Sequence, residues 1–244
     1  NVAAPAVPPT DPGRAARSSH HRPSGSGAHM KYSLLGPLEV YDDTGSRHRL
    51  GSPKLRSLLT LLLIDANRVV PLDRLIDQLW AGEPPASSTA TLQAYVWQLR
   101  KLLEPDRPTR APAEVLVTEP PGYRLVVAPG DLDLHDFERL VTSGAAALDA
   151  GDATAAAEQL DDALGRWRGT PLADRADDPV ATSLVTRLEE LHLLAQERRI
   201  DAELELGRAA EAVARAESLS ASHPLRERVW AQRILGLYRS GRQA

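Results

Sequence analysis

An α+β winged helix–turn–helix domain followed by an all-α, tetratricopeptide-like helical domain is the fold class this sequence predicts, and three observations carry it. Short strand-like runs precede and follow three amphipathic helical segments between residues 31 and 128. From residue 131 onward strand-like alternation disappears and only helical periodicity remains. In that second stretch L-G-R-A-A-E-A at Leu206 and S-G-R-Q-A at Ser240 place Gly207 and Gly241 34 residues apart. That is the period of stacked antiparallel helix pairs.

Taken in order, residues 1–30 are rich in Pro, Ala, Ser and Gly and show no apolar periodicity, so they are expected to be disordered. His20-His21 and S-G-S-G-A-H-M have the composition of an engineered expression leader, with a natural flexible leader as the alternative. Tyr32 to Leu35, Leu38 to Tyr41 and Arg47 to Leu50 read as short antiparallel strands around Gly36-Pro37 and an Asp42-Asp43-Thr44-Gly45 turn. Ser52-Pro53 supplies a cap and a first-turn proline for a helix to about Ile64, with Leu55, Leu58, Leu59, Leu62 and Leu63 inward. Asn67 ends it. Val69-Val70 is an extended link, and Pro71 opens a second helix, Leu72 to Trp80, which buries Leu75, Ile76 and Leu79. A-G-E-P-P-A-S-S breaks the chain and caps a third helix, Ser88 to Leu103. Glu114 to Thr118 and Tyr123 to Val127 form a hairpin around Pro120-Pro121-Gly122. Strands, three helices and a hairpin make a winged helix in which the third helix enters a groove and the hairpin is the wing.

Asp131 to Asp133 marks the boundary to the second domain, 131–244, with helices at about 134–150, 153–167, 179–206, 209–221 and 225–240. A looser copy of the glycine turn, A-G-D-A-T-A-A at Ala150, falls out of phase with the other two. Since the chain stops just after the Ser240 turn, the repeat predicts a chain truncated from a longer one, in which Leu235, Leu237 and Tyr238 lack part of their packing.

Composition narrows the function. No run approaches the ~18 apolar residues of a membrane span. The chain has no cysteine, which excludes disulfides, thiolate catalysis and cysteine-ligated zinc. A G-x-x-x-x-G-K-[S/T] loop is absent, and His48, His135, His192 and His223 lack ligand spacing. The Asp pairs at 42–43, 161–162 and 177–178 are explained by solvation at turns or helix faces. Neither an enzyme nor a cofactor or metal is therefore expected, and the location expected is cytoplasmic, on the nucleoid when DNA is bound. The formal charge of -4 is uneven: +2 over residues 1–30, +1 over 31–130 and -7 over 131–244. A nucleic-acid surface must then be a local patch in the first domain, with the acidic second half turned from phosphate.

The third helix carries that patch. Leu92, Val96, Leu99 and Leu103 form its apolar stripe, flanked by Tyr95 and Leu102. Opposite lie Ala90, Gln93, Ala94, Trp97, Gln98 and Lys101, with Arg100 at the edge. Gln93 and Gln98 suit bidentate pairing with adenine, and Ala94 lets the backbone approach a thymine methyl. Trp97 exposes a large apolar surface that a sugar or a thymine methyl would cover; a neighbouring subunit or the wing would cover it equally. Arg100 and Lys101 are phosphate or base contacts and Thr91 a phosphate donor, against ordinary solvated groups. Lys54 and Arg56, at the first helix's N-terminus, suit a phosphate clamp, with simple solubility as the alternative. Arg124 is the wing cation, while Tyr123 packs the hairpin onto the helices. Arg107 and Arg110 are further candidates for the duplex backbone. Trp80 and Trp167 are assigned to core or interdomain packing, and Trp230 to the helical core.

With these stretches placed, the sequence resembles the Streptomyces antibiotic regulatory protein family. The matching motifs are L-L-G-P-L-E-V at Leu34, P-K-L-R-S-L-L at Pro53, L-W-A-G-E-P-P at Leu79, Q-A-Y-V-W-Q-L-R-K-L-L-E-P at Gln93 and P-P-G-Y-R-L at Pro120. R-W-R-G-T-P-L at Arg166, H-P-L-R-E-R-V-W at His223 and L-Y-R-S-G-R-Q-A at Leu237 continue the match through the second half. The resemblance implies an OmpR-type winged helix and a bacterial transcriptional activation domain. It also implies binding of direct repeats near the −35 region, a homodimer on DNA, and recruitment of RNA polymerase with its sigma factor to antibiotic-biosynthesis genes. The rival class is an interaction scaffold whose winged helix binds protein, which the weak charge of the first domain keeps open.

Overall fold

The computed structural model describes residues 29–108, 110–173 and 179–241, so the expected disorder of the leader lies, but for its last two residues, outside the described residues. Two small antiparallel sheets frame the first three helices. The first joins β1 (Lys31–Ser33), β2 (Glu39–Tyr41) and β3 (Arg47–His48) in that order, with Tyr32 opposite Val40 and Val40 opposite His48. Its tight turn is held by Asp42, whose carboxylate accepts from the Thr44 hydroxyl and the Thr44 and Ser46 amides. Those bonds, the Thr44 hydroxyl foremost, hold the Asp42 carboxyl down at about 2. Asp42 is thus a turn organiser rather than a merely solvated acid.

Helix α1 (Pro53–Ile64) starts as its sequence dictates, with the Ser52 hydroxyl accepting from the Leu55 amide and proline in the first turn. Its five expected inward leucines are buried, and so is Leu61. The link at Val69-Val70 is a true strand, β4 (Val69–Pro71), which pairs with β6 (Gly122–Leu125) in the order β4-β6-β5, where β5 is Leu116–Glu119. Three residues are too few to show a period, so the sequence hides this strand. Gly122 is where the hairpin meets β4: a Cβ there would lie 1.9 Å from the Val70 carbonyl oxygen. No residue but glycine fits. Asn67 does not end α1, which stops at Ile64. It takes a left-handed turn and pairs both ends of its side-chain amide with the backbone of Val127, at 2.9 Å each.

Helices α2 (Leu72–Trp80) and α3 (Ser88–Leu103) have the bounds their capping residues predict, although Ile76 is only half-buried. The second half is built from α4 (Asp133–Asp149), α5 (Ala153–Leu164), α6 (Pro179–Glu205), α7 (Ala209–Ser222) and α8 (Glu227–Arg239), packed in sequence. Gly151, Gly207 and Gly241 each turn the chain through a left-handed conformation, φ 83°, 73° and 72°, just after a helix ends. The out-of-phase copy at Ala150 is therefore the same turn. The face of α8 leaves Leu235 and Tyr238 exposed, while Leu237 is half-buried. Trp230 departs from its expected place in the core. It is 40% exposed, donates its indole N–H to the Pro224 carbonyl and carries Arg233 over its ring.

The two halves meet at a seam. The Tyr32 amide donates to the Asp131 carbonyl at 2.7 Å, and the Asp133 carboxylate accepts from the Leu34 and Leu35 amides at 2.8 and 3.1 Å. Arg168, in the loop after α5, donates its amide to Leu35 and its guanidinium to Glu39 and the Pro37 carbonyl. One apolar core consequently runs from Leu34 and Leu35 of the first half through Phe137, Leu140, Leu160 and Leu188 of the second. Trp167 packs against this core as expected, edge-on to Phe137 and stacked on His192.

Candidate nucleic-acid interface

Helix α3 is held by one face and free on the other. Leu92, Val96, Leu99 and Leu103 are buried, with Tyr95 and Leu102 half-buried beside them. Ala90, Gln93, Ala94, Trp97, Gln98 and Lys101 are all exposed along the opposite face. A helix 16 residues long, with half its circumference uncovered, offers a ridge of the width that a major groove accepts. Trp97 is 61% exposed, and the Lys101 ammonium lies 5.6 Å from its ring centroid. The cation shields one side of the indole and leaves the rest open to a partner.

Thr91 is half-buried and donates its hydroxyl to the Ser87 carbonyl at 2.9 Å, so that its oxygen retains only acceptor capacity there. Arg100 turns from the exposed face to the hairpin. Its Nε donates to the Leu116 carbonyl at 2.9 Å, its Nη2 to the Thr118 hydroxyl at 2.7 Å, and its guanidinium sits 5.9 Å from the Tyr123 ring centroid. Tyr123 itself is buried, as expected of the residue that packs the hairpin. Arg124, on β6, is ion-paired with Glu119 across the hairpin at 2.7 Å. Its charge is therefore offset in the free protein.

Lys54 reaches back to the C-terminal end of α2, donating to the Leu79 carbonyl and lying over the Trp80 ring. It stands at the turn end of the α2–α3 pair, whereas Arg100 and Arg124 gather at the hairpin end. Arg56, two residues on from exposed Lys54 and so on another side of α1, is half-buried. Arg107 is taken up locally by Glu104 and the Ala111 carbonyl, while Arg110 is exposed. The expected residues thus form one exposed ridge, Gln93 to Lys101, flanked by cations that mostly have internal partners. Glu104, which the sequence reading passed over, accepts from the Glu114 and Val115 amides and fixes the end of α3 against the approach to β5. Among the described residues no group of three or more His, Cys, Asp or Glu side chains is placed to hold a metal, and no helix is long and apolar enough to cross a membrane.

Comparison with known proteins bears on both halves. Residues 47–125 match the family model described as transcriptional regulatory protein, C terminal, and residues 132–244 match the bacterial transcriptional activator domain. The chain is 37% identical over 216 residues to the regulatory protein DnrI of Streptomyces peucetius, covering 87% of this chain and 79% of DnrI. It is 39% identical over 215 residues to the transcriptional regulatory protein EmbR of Mycobacterium tuberculosis, covering 88% of this chain but only 55% of EmbR. With the regulatory protein AfsR of Streptomyces coelicolor it shares 40% identity over 220 residues, 90% of this chain and 21% of AfsR. The chain thus spans about half of EmbR and a fifth of AfsR. The solved structure of M. tuberculosis EmbR in complex with a low-affinity phosphopeptide superposes with a TM-score of 0.81 at 37% identity, over 88% of this chain and 56% of that one.

Proposed function

Because the chain belongs to the Streptomyces antibiotic regulatory protein family of transcriptional regulators, we propose that it is a sequence-specific DNA-binding transcription activator of antibiotic or secondary-metabolite genes. The observation that carries this reading is the exposed ridge of α3. An unburied face of amides, alanines, an indole and a lysine has no role in holding the fold, and each of those groups suits a base edge or a phosphate. Gln93 and Gln98 read bases, Ala94 admits the backbone, and Trp97 packs on a sugar or a thymine methyl. Lys101 meets phosphate, and Arg124 does so once a duplex draws it from Glu119. Lys54 and Arg56 flank the duplex at the turn end, with Thr91 accepting rather than donating. Two copies bind a direct repeat near the −35 region, and the helical half, 131–244, offers its acidic surface to RNA polymerase and its sigma factor.

Lys101→Ala is expected to weaken binding to all duplexes alike and to lower the slope of log affinity against log salt by about one unit. Gln98→Ala should instead relax preference at a single base pair, by about 1–3 kcal/mol of discrimination. Titrations by fluorescence anisotropy, with a duplex selected from a random pool and with its scrambled counterpart, measure both. If neither variant changes affinity or preference, α3 is not the reading helix.

A further inference from the structure

We infer that Arg100 is a positioning residue, which fixes the distance between the groove-reading ridge of α3 and the wing without itself touching DNA. The inference rests on the DNA-binding reading above and refines it. Arg100 belongs by sequence to the basic end of α3, beside Lys101, and a cation there reads as a phosphate contact. Its geometry is that of a strut. Two of its nitrogens are bonded to successive outward-facing acceptors of one strand, the Leu116 carbonyl and the Thr118 hydroxyl, 16 and 18 residues further along the chain. The Cζ of the same guanidinium lies 5.9 Å from the ring centroid of Tyr123, which is directly opposite Thr118 in the ladder.

The rigid fork of a guanidinium can satisfy both acceptors while its charge stays near the ring, and a lysine ammonium cannot reproduce that arrangement. The hairpin is also held by its β4–β6 ladder, by Leu116, Tyr123 and Leu125 in the core that α3 lines, and by Glu104, which fixes the chain where it enters β5. Glu104 anchors one polar point. Arg100 adds two more on the edge of β5 that faces away from β6, and so trims the angle at which Arg124 is presented relative to Gln93 and Gln98. Neighbouring arginines of the unit then have separate tasks. Arg124 carries a charge that Glu119 releases to a phosphate, and Arg100 holds the strand that carries it.

The two possible roles respond differently to Arg100→Lys, which conserves charge but loses the fork. Binding should fall about tenfold, to the same extent in Arg100→Lys and Arg100→Met, with the salt slope unchanged in both. Lys101→Ala, measured alongside, should lose about one unit of slope. Thr118→Val removes one acceptor from an exposed site and keeps the β-branched shape. It should weaken binding in the same direction and add little to Arg100→Lys. Amide exchange in β5 and β6 should rise in both variants while α3 stays protected, which reports the strut in the absence of DNA. Wild-type affinity in Arg100→Lys together with a slope lowered by one in Arg100→Met would make Arg100 a phosphate contact and overturn the strut. A wild-type protein that binds no selected duplex would overturn the DNA reading, whatever the exchange data show.

Discussion

Phe137→Ala is expected to cost about 3–5 kcal/mol of stability, the usual range when a fully buried aromatic is truncated and its site cannot collapse. Phe137 has no exposed surface, and it meets Trp167 edge-on at 5.6 Å in the core that both halves share. Leu34 and Leu35, just after β1, complete that core from the first half, held to α4 by Asp133 and to the loop after α5 by Arg168. For a chain of this length the loss corresponds to a melting point lower by about 6–10 °C. The shared core also makes a qualitative demand. Far-ultraviolet circular dichroism, which mainly follows the helical half, and the fluorescence of Trp80 and Trp97 in a background with Trp167 and Trp230 replaced by Phe, which follows the first, should report one transition with and without Phe137→Ala. Separate transitions with Phe137 in place would show that the two halves unfold independently and that Phe137 serves only the second. A loss below about 1 kcal/mol would mean that the site collapses freely.

How far the sequence carries one toward this structure depends on the range over which each signal acts. Helix α3 was legible to its ends because proline, serine and a stripe of Leu and Val are local signals, inside the helix or within four residues of its start. The exposed ridge from Gln93 to Lys101 follows from the same period, so the reading face is visible before the fold is. Three things were hidden for one reason: their partners are distant in sequence. Residues 69–71 are a strand only because β6 lies beside them. Arg100 looks like a surface cation until β5 arrives with two acceptors. Asp161, read as a solvated acid, is the bidentate acceptor of Arg199, 38 residues on. Trp230 failed in the opposite sense. An aromatic in an amphipathic helix is expected inward, but α8 turns that face outward, and periodicity alone does not say which faces of a helical array have neighbours.

Glu203→Ala should be as damaging as the loss of Phe137, for an electrostatic reason. The side chains of Arg199 and Glu203 are 6% and 3% exposed, one turn apart on α6 and 3.0 Å from each other. Asp161 of α5 takes two bonds from the same guanidinium, and Arg215 of α7 bonds Glu203 at 2.7 Å. Four alternating charges thus tie three helices together, the inner two buried and the outer two half-exposed. Removing Glu203 leaves Arg199 buried with a single, half-exposed counter-ion, and breaking a buried pair in this way costs about 3–5 kcal/mol. Much of that cost is the stranded charge rather than the lost attraction, which has a consequence that separates the two. Glu203→Leu combined with Arg199→Met removes both charges and fills the space with apolar side chains. It should recover most of the stability that Glu203→Ala loses, since apolar replacement of a buried pair is commonly neutral or better. Urea titrations of the single and double variants at neutral pH give the comparison directly. A double variant no more stable than Glu203→Ala would mean that the network contributes net attraction, and that α5, α6 and α7 depend on it rather than on their alanine- and leucine-lined contacts.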